Sequence, residues 1–181
     1  MIVRPVRPGD VDALAGIYGH FVLHGLGTFE ETPPGADEMA RRVAAVEALG
    51  LPYLVAEAGE VVGFAYAGLF RPRAAYRYSV EDSVYVAPGA AGQGVGKALL
   101  EAVIARCEAL GLRQMIAVIG DSGNAASIAL HRSLGFEHRG VVRAAGFKHG
   151  RWLDVVWMQR SLNGGDASPP SSVGLDLDRE H

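Results

Sequence analysis

The chain has one cysteine, Cys107, so it carries neither a disulfide framework nor a thiolate metal site of its own. It has no surplus of positive charge either. Its 17 Lys and Arg stand against 20 Asp and Glu, a net charge of -3 with pI near 6.1, whereas general nucleic-acid binders present a basic face. No uninterrupted apolar run reaches the roughly 18 residues of a membrane span. Met1-Ile2-Val3-Arg4-Pro5 opens without the apolar core of a secretion signal, and no internal repeat is visible. These absences lead to the expectation of a cytoplasmic protein with no metal and with neither nucleic acid nor membrane as partner. What is present is 181 residues, 49% of them hydrophobic, enough for one domain with a full core. Glycine is plentiful, at 24 residues.

Periodicity and punctuation give the order of elements. Ile2 to Val6 reads as a strand, broken by Pro8-Gly9-Asp10, with Asp10 placed to cap a helix carrying Val11, Leu14, Ile17, Tyr18, Phe21 and Val22 on one face. Gly25 and Gly27 end it. Residues 28–34 read as extended loop, and Gly35-Ala36-Asp37 opens a second helix with Met39, Val43, Val46 and Leu49. Tyr53 to Glu57 and Val61 to Phe70 form a hairpin about Ala58-Gly59-Glu60. Ser83 to Val86 is the next strand, and a helix with Leu99, Leu100, Val103, Ile104, Cys107 and Leu110 follows, stopped by Gly111. Met115 to Ile119 is a strand, and Asn124 caps a helix that ends at Gly135. Phe136 to Val142 and Trp152 to Leu162 are final strands joined through residues 146–150. From Asn163 the composition turns polar and rich in Gly, Pro and Ser. The reading is a domain over 1–162 with a flexible, unpacked tail over 163–181.

The stretch Val84 to Leu100 is strand, glycine-rich loop and helix in succession, the arrangement that offers backbone N–H groups to a phosphate. A nucleoside-triphosphate loop fails, because Ala91 replaces the first Gly and Ala98 the Ser/Thr that holds magnesium. A dinucleotide fingerprint fails, because Lys97 stands where the third Gly belongs and antiparallel hairpins precede the loop. The third reading is the pyrophosphate of coenzyme A. Here the stretch resembles the [QR]-x-x-G-x-[GA] pattern of the GNAT acyltransferases, with Gly94 and Gly96 matching and Ala91 in place of the usual Gln or Arg. Residues 124–136, from Asn124 to Gly135-Phe136, resemble that family's second signature. Thr28-Phe29-Glu30, Tyr76, Glu81 to Val86 and Arg143 to Val155 are similar to the phosphinothricin N-acetyltransferases, a resemblance spanning residues 2 to 160.

The resemblance implies an α/β (α+β) GNAT fold: a mixed, mostly antiparallel sheet of about seven strands with four main helices. It implies acetyl-CoA as co-substrate, contacted by Val84, Tyr85, Val86, Ala91, Gly92, Gln93, Gly94, Val95, Gly96, Lys97, Asn124 and Ser127. It also implies direct transfer of acetyl to the α-amine of a small amino acid or analogue, of phosphinothricin or methionine sulfoximine/sulfone type, by a homodimer. Such transfer needs a base for the ammonium, stabilisation of the carbonyl oxygen and a proton for the thiolate. By residue type alone Glu81 and Asp82 are equal candidates for the base. The resemblance singles out Glu81 and leaves Asp82 as a solvated strand-end carboxylate. The Val86 N–H is the expected carbonyl partner. His131, between Ile128 and Leu134, would ordinarily be a core histidine; its place in the second signature makes it general acid or a relay with Glu81. Arg71, Arg73, Tyr76, Phe29, Ser83 and Tyr85 are acceptor-pocket candidates, Arg73 and Tyr76 ahead of Arg71. Trp152 and Trp157 read as packing residues, Cys107 as core, His149 as solvent-exposed. Residues 147–152 are expected to reach a partner's site. The rival readings are a different amine, either a protein N-terminus or a polyamine, and a CoA-binding module without catalysis, for which Ala91 is the supporting feature.

Overall fold

The alternating and β-branched runs build a single sheet. In the computed structural model, which describes residues 1–177, its order is β1-β2-β3-β4-β5-β7-β6. The strands are β1 (Ile2–Pro5), β2 (Tyr53–Ala58), β3 (Glu60–Leu69), β4 (Ser79–Val86), β5 (Gln114–Gly120), β6 (Glu137–Lys148) and β7 (Arg151–Ser161). Among the described residues the α-helices are α1 (Val11–His24), α2 (Ala36–Ala48), α3 (Val95–Ala109) and α4 (Ala125–Ser133). All neighbouring strands are antiparallel except β4 and β5. This is the expected mostly antiparallel seven-stranded sheet with four helices.

Strand alternation divides the core into two layers. From β2, Leu54 and Ala56 point to the layer under α3, with Leu99, Leu100, Val103 and Cys107. Tyr53 and Val55 point to the layer under α1 and α2, with Leu14, Val22, Met39 and Val43. The parallel pairing of β4 with β5 runs only from Ser79↔Gln114 to Asp82↔Ala117, and beyond it the two strands part. That divergence makes the site.

Several local expectations are corrected. Asp10 makes no cap bond to α1; it accepts Arg4 Nη1 at 2.8 Å and the Arg7 N–H at 2.7 Å, tying the short Pro8–Asp10 turn to β1. β4 begins at Ser79, four residues before the apolar run, so Glu81 lies inside a strand. β6 continues to Lys148 through a bulge between Val142 and Gly146, where Ala144 has φ +50 and its N–H donates to Asp154 Oδ1. The turn is only His149-Gly150, both with positive φ (51 and 74), which suits a right-twisted hairpin. Trp152 does not pack inward; it is 67% exposed.

The expected loose tail is also corrected over 163–177. Arg113 is buried and donates to Gly165 O (2.7 Å) and Ser168 O (2.8 Å), Tyr78 Oη donates to Ser172 O, and Leu175 N–H donates to Arg77 O. Leu175 is buried and Leu177 packs on the α3-side core. Two leucines in a polar segment and a guanidinium needing acceptors explain the docking. The rest of the expected tail, 178–181, lies outside the described residues.

Candidate active site

A cleft of about 750 Å³ opens where β4 and β5 diverge, and α3, α4 and the loop after α1 complete its walls. Its β4 edge follows from ladder parity. The Ala87 N–H donates to Val62 O on β3, so in an antiparallel ladder residues 85, 83 and 81 also turn their backbone to β3, and 86, 84 and 82 turn theirs to β5. Past Asp82 there is no β5 rung. The main-chain groups of Val84 and Val86 therefore face the cleft without a strand partner. At its mouth, Gly94 (φ +80) turns the chain into α3, and the first intrahelical bond is Ala98 N–H to Gly94 O. The amides of Val95, Gly96 and Lys97 are left pointing out of the positive helix end, which suits a pyrophosphate.

Gly92 (φ +75) and Ala91 precede this end in exposed loop. Gln93 turns its amide back to Gly89 O, and Lys97 lies 3.8 Å from Glu101. At Gly96 a Cβ would stand 3.3 Å from Leu130 of α4, so glycine allows the two helices to close on the cleft. Asn124 accepts the Ser127 N–H and so caps α4, with both residues on the cleft wall. Because the donors at α3 are backbone amides, Ala91→Arg is expected to lower the KM for acetyl-CoA by about two- to fivefold, the scale of an exposed ion pair. Steady-state titration of acetyl-CoA checks this, and a raised KM would mean that the loop meets the phosphates differently.

Glu81 and Asp82, neighbours in sequence, point to opposite faces of β4. Glu81 shares the α1/α2 face with Ser83 and Tyr85, and burial, then the charge of Asp82, push its carboxyl up to about 7 against the opposing pull of Arg71. Asp82 shares the α3 face with Val80 and Val84 and is buried. It meets His131, whose Nε2 lies 2.9 Å from Asp82 Oδ2 and whose Nδ1 lies 2.7 Å from Ser127 O. Two sequence expectations are thereby corrected. Asp82 is not solvated, and His131 is no relay for Glu81, since the sheet separates them. A carbonyl can only accept, so Nδ1 carries a proton and Nε2 shares one with Asp82. Burial alone would lower the pKa of His131; the Asp82 bond and charge override it and raise it. Asp82 Oδ1 has no hydrogen-bond partner.

On the acceptor side, the Arg71 guanidinium lies 4.5 Å over Phe70 and 5.7 Å from Trp157, with Tyr76 edge-on to Phe70 at 5.6 Å. Arg73, ranked ahead of it in the sequence, is exposed and makes no side-chain hydrogen bond or ion pair among the described residues. The structure thus gathers Arg71, Tyr76 and Glu81 and adds Trp157, which read as packing. Tyr85 is wedged among Tyr18, Phe21 and Phe64, so its ring is core while the residue borders the cleft. Ser83 lines the cleft opposite Tyr66. Phe29 lies against Gly146, where a Cβ would fall 2.5 Å from its ring. Among the described residues no cluster of three or more His, Cys, Asp or Glu is poised for a metal, and no helix is long and apolar enough to cross a membrane.

A strand wedge with unpaired main chain, facing a glycine-headed helix end, is a mould for an acyl-CoA, and residues 23–136 match the acetyltransferase (GNAT) family. The chain belongs to that family. It is 55% identical to a phosphinothricin N-acetyltransferase of Alcaligenes faecalis, over 93% of this chain and 86% of that protein. It is 42% identical to an L-methionine sulfoximine/L-methionine sulfone acetyltransferase of Pseudomonas paraeruginosa, over 92% of this chain and 98% of that protein. A crystal structure of a GNAT-superfamily phosphinothricin acetyltransferase from Sinorhizobium meliloti in complex with AcCoA superposes with TM-score 0.90 at 51% identity, covering 94% of this chain and 92% of that one.

Proposed function

We propose that this protein transfers acetyl from acetyl-CoA to the α-amine of a small amino-acid analogue of the phosphinothricin or methionine sulfoximine/sulfone type, directly and within a ternary complex. The observation that carries the reading is Glu81: a half-buried carboxyl held up to about 7, beside Arg71, on the strand whose free edge walls the cleft. At neutral pH such a group takes a proton from an incoming ammonium and can return it to water. The amides of Val95 to Lys97 hold the pyrophosphate, and Val84 and Val86 pair with the pantetheine arm. The Val86 N–H meets the carbonyl oxygen as it becomes anionic. Arg71 receives the acceptor's carboxylate or phosphinate, with Phe29, Tyr76 and Trp157 as walls and Ser83 as a hydrogen-bonding group; Arg73 supplies a second positive charge at the rim.

His131 serves the sulfur. Its Nδ1 proton is held by Ser127 O, so the proton it gives is the one on Nε2, released as the Asp82 bond opens. The C–S electron pair goes to sulfur and this proton makes the thiol; the nitrogen gives up two protons through Glu81 to water, and one proton from water restores His131, leaving one released overall. A polyamine acceptor would want carboxylates where Arg71 stands, and a non-catalytic CoA module has no need of a carboxyl tuned to about 7.

The exposed Phe147 and Trp152, with ring centroids 5.3 Å apart, and Val141 and Val142 support a homodimer formed across the β6–β7 hairpin. The acetyl donor points to the cytoplasm. Acetylation cancels the positive charge of the amine, which supports a role in resistance to toxic amino-acid analogues. Thiol release from acetyl-CoA across a panel of amino acids, analogues, polyamines and N-terminal peptides tests the reading. Turnover is expected with the amino-acid analogues. Arg71→Met is expected to raise the acceptor KM by about tenfold or more, the scale of one charge-assisted bond. Turnover confined to peptides or polyamines would overturn it.

A further inference from the structure

The hairpin that exposes Phe147 and Trp152 hides a charge on its other side. Lys148, the last residue of β6, is 2% exposed. Its Nζ donates to Thr28 O at 2.8 Å, Gly25 O at 3.0 Å and Phe21 O at 3.5 Å, so all three ammonium protons end on main-chain carbonyls. The carbonyls of Phe21 and Gly25 belong to the C-terminal end of α1, where the helix dipole is negative; Phe21 O also takes the Gly25 N–H at 2.9 Å, and Gly25 O lies past the last turn. Glu30 and Glu31 act on Lys148 only through charge, and burial lowers its pKa. Burying an ammonium is costly unless every proton is bonded, and here every proton is spent on one short stretch of main chain.

That stretch is the wall of the transfer site. Gly25, Leu26 and Gly27 line the cleft. The loop crosses the end of β5 so closely that a Cβ at Gly120 would lie 2.6 Å from Leu26 O. Thr28 Oγ1 bonds Tyr18 Oη, which also donates to Glu30. Phe29 rests on Gly146, two residues before Lys148 and so on the same side of β6. The bulge at Ala144, just before Gly146, is pinned by Asp154 and through it to Ser122.

We propose that Lys148 is a positioning residue for acetyl transfer: through the carbonyls of Gly25 and Thr28 it holds the 25–29 loop over the reacting end of the cleft, with Phe29 set beside the acceptor. The inference rests on the acyl-transfer reading above. Lys148 touches neither substrate; it acts through the loop, and a displacement there misaligns the amine with the thioester.

The test compares full-length Lys148→Met, which keeps an unbranched side chain as far as Cε and removes the donors, with Val103→Ala, a buried change in α3 away from the loop that also lowers stability. Both are assayed well below their melting temperatures, per folded molecule. Lys148→Met is expected to lose about tenfold in kcat/KM for the acceptor, the scale of a sub-ångström misplacement. Its KM for acetyl-CoA is expected to stay at the wild-type value, and amide exchange over residues 25–30 to quicken by about tenfold or more. Val103→Ala should show neither effect. Acceptor kcat/KM equal in the two variants, or exchange over 25–30 unchanged in Lys148→Met, would overturn the proposal. A wild-type enzyme inactive on every amino-acid analogue, with the exchange result intact, would overturn the acceptor assignment and leave the clamp standing.

Discussion

Glu81→Gln is expected to lower kcat about 100-fold, the usual contribution of a positioned general base, and at the same time to make the protein more stable above neutral pH. Both effects come from one cause. The carboxyl is held up to about 7, first by burial and then by the charge of Asp82 behind it. A raised folded-state pKa means that the protonated form is the one the fold favours. The stability this contributes is complete below the ordinary carboxylate value of 4.5 and is lost as pH rises through about 7. At pH 8 the ionised Glu81 is a strained element, and a neutral amide of the same shape relieves it by about 1 kcal/mol once solvent access to the carboxyl is discounted. Melting curves of the two proteins should coincide at pH 4 and separate at pH 8, with the variant higher. The wild-type kcat/KM should climb through an acid limb near 7, and that limb should vanish in Glu81→Gln. A kcat within a few-fold of wild type at saturating acceptor would remove Glu81 from the chemistry.

The second large effect is expected at the Asp82–His131 pair. Asp82→Ala leaves a buried imidazole without its acceptor, and His131→Ala leaves a buried carboxylate with neither oxygen bonded. Breaking one side of a buried pair costs about 3 kcal/mol or more, which is roughly 6–12 °C in Tm for a chain of this size. The double change Asp82→Val with His131→Leu replaces the pair by apolar groups of similar volume and is expected to recover most of that loss. The raised pKa of His131 sets the pH window: its contribution is full below the ordinary histidine value of 6.5 and fades as pH rises through the raised value. The gap between wild type and Asp82→Ala should therefore be wider at pH 6 than at pH 9. Because the double variant restores stability without a proton donor, it separates packing from chemistry. A kcat lowered about tenfold in the refolded double variant supports His131 as the acid at sulfur. An unchanged kcat would make the pair a core ion pair and nothing more.

Much of the architecture was legible because its signals are local. Gly94 and Gly111 bracket α3, Asn124 caps α4, and the apolar stripes of α1 to α3 match their buried faces except at Leu110, which caps α3 and is exposed. The cleft beside Val84 to Leu100 was legible for the same reason, as strand, glycines and helix follow one another in the chain. What escaped depends on distant segments. The apolar run marks the strand only from Ser83, yet β3 and β5 already pair on either side of Val80 to Asp82, and Asp82 is buried. Nothing adjacent to Asp82 announces His131, which is 49 positions away. Lys148 sits in a Gly-, Lys- and His-containing run that reads as a turn, and its carbonyl partners lie more than 100 residues earlier. The resemblance ranks Arg73 ahead of Arg71, and the aromatic bed under Arg71 includes Trp157 on β7, which nothing near Arg71 in the chain announces. The docking of residues 163–177 did leave a trace, Leu175 and Leu177 in a polar segment, outweighed there by composition.

The two leaves of the sheet, β1 to β4 and β5 to β6, meet only from Ser79↔Gln114 to Asp82↔Ala117. Whatever lodges in the gap above that short seam binds both leaves at once and adds RT ln(1 + [L]/Kd), about 2.7 kcal/mol at a hundredfold excess over Kd. For a domain of ordinary, marginal stability that is a large fraction of the whole. Saturating acetyl-CoA is therefore expected to raise Tm and to slow proteolysis of the purified protein, because the co-substrate bridges two leaves that the sheet itself joins only over a short seam.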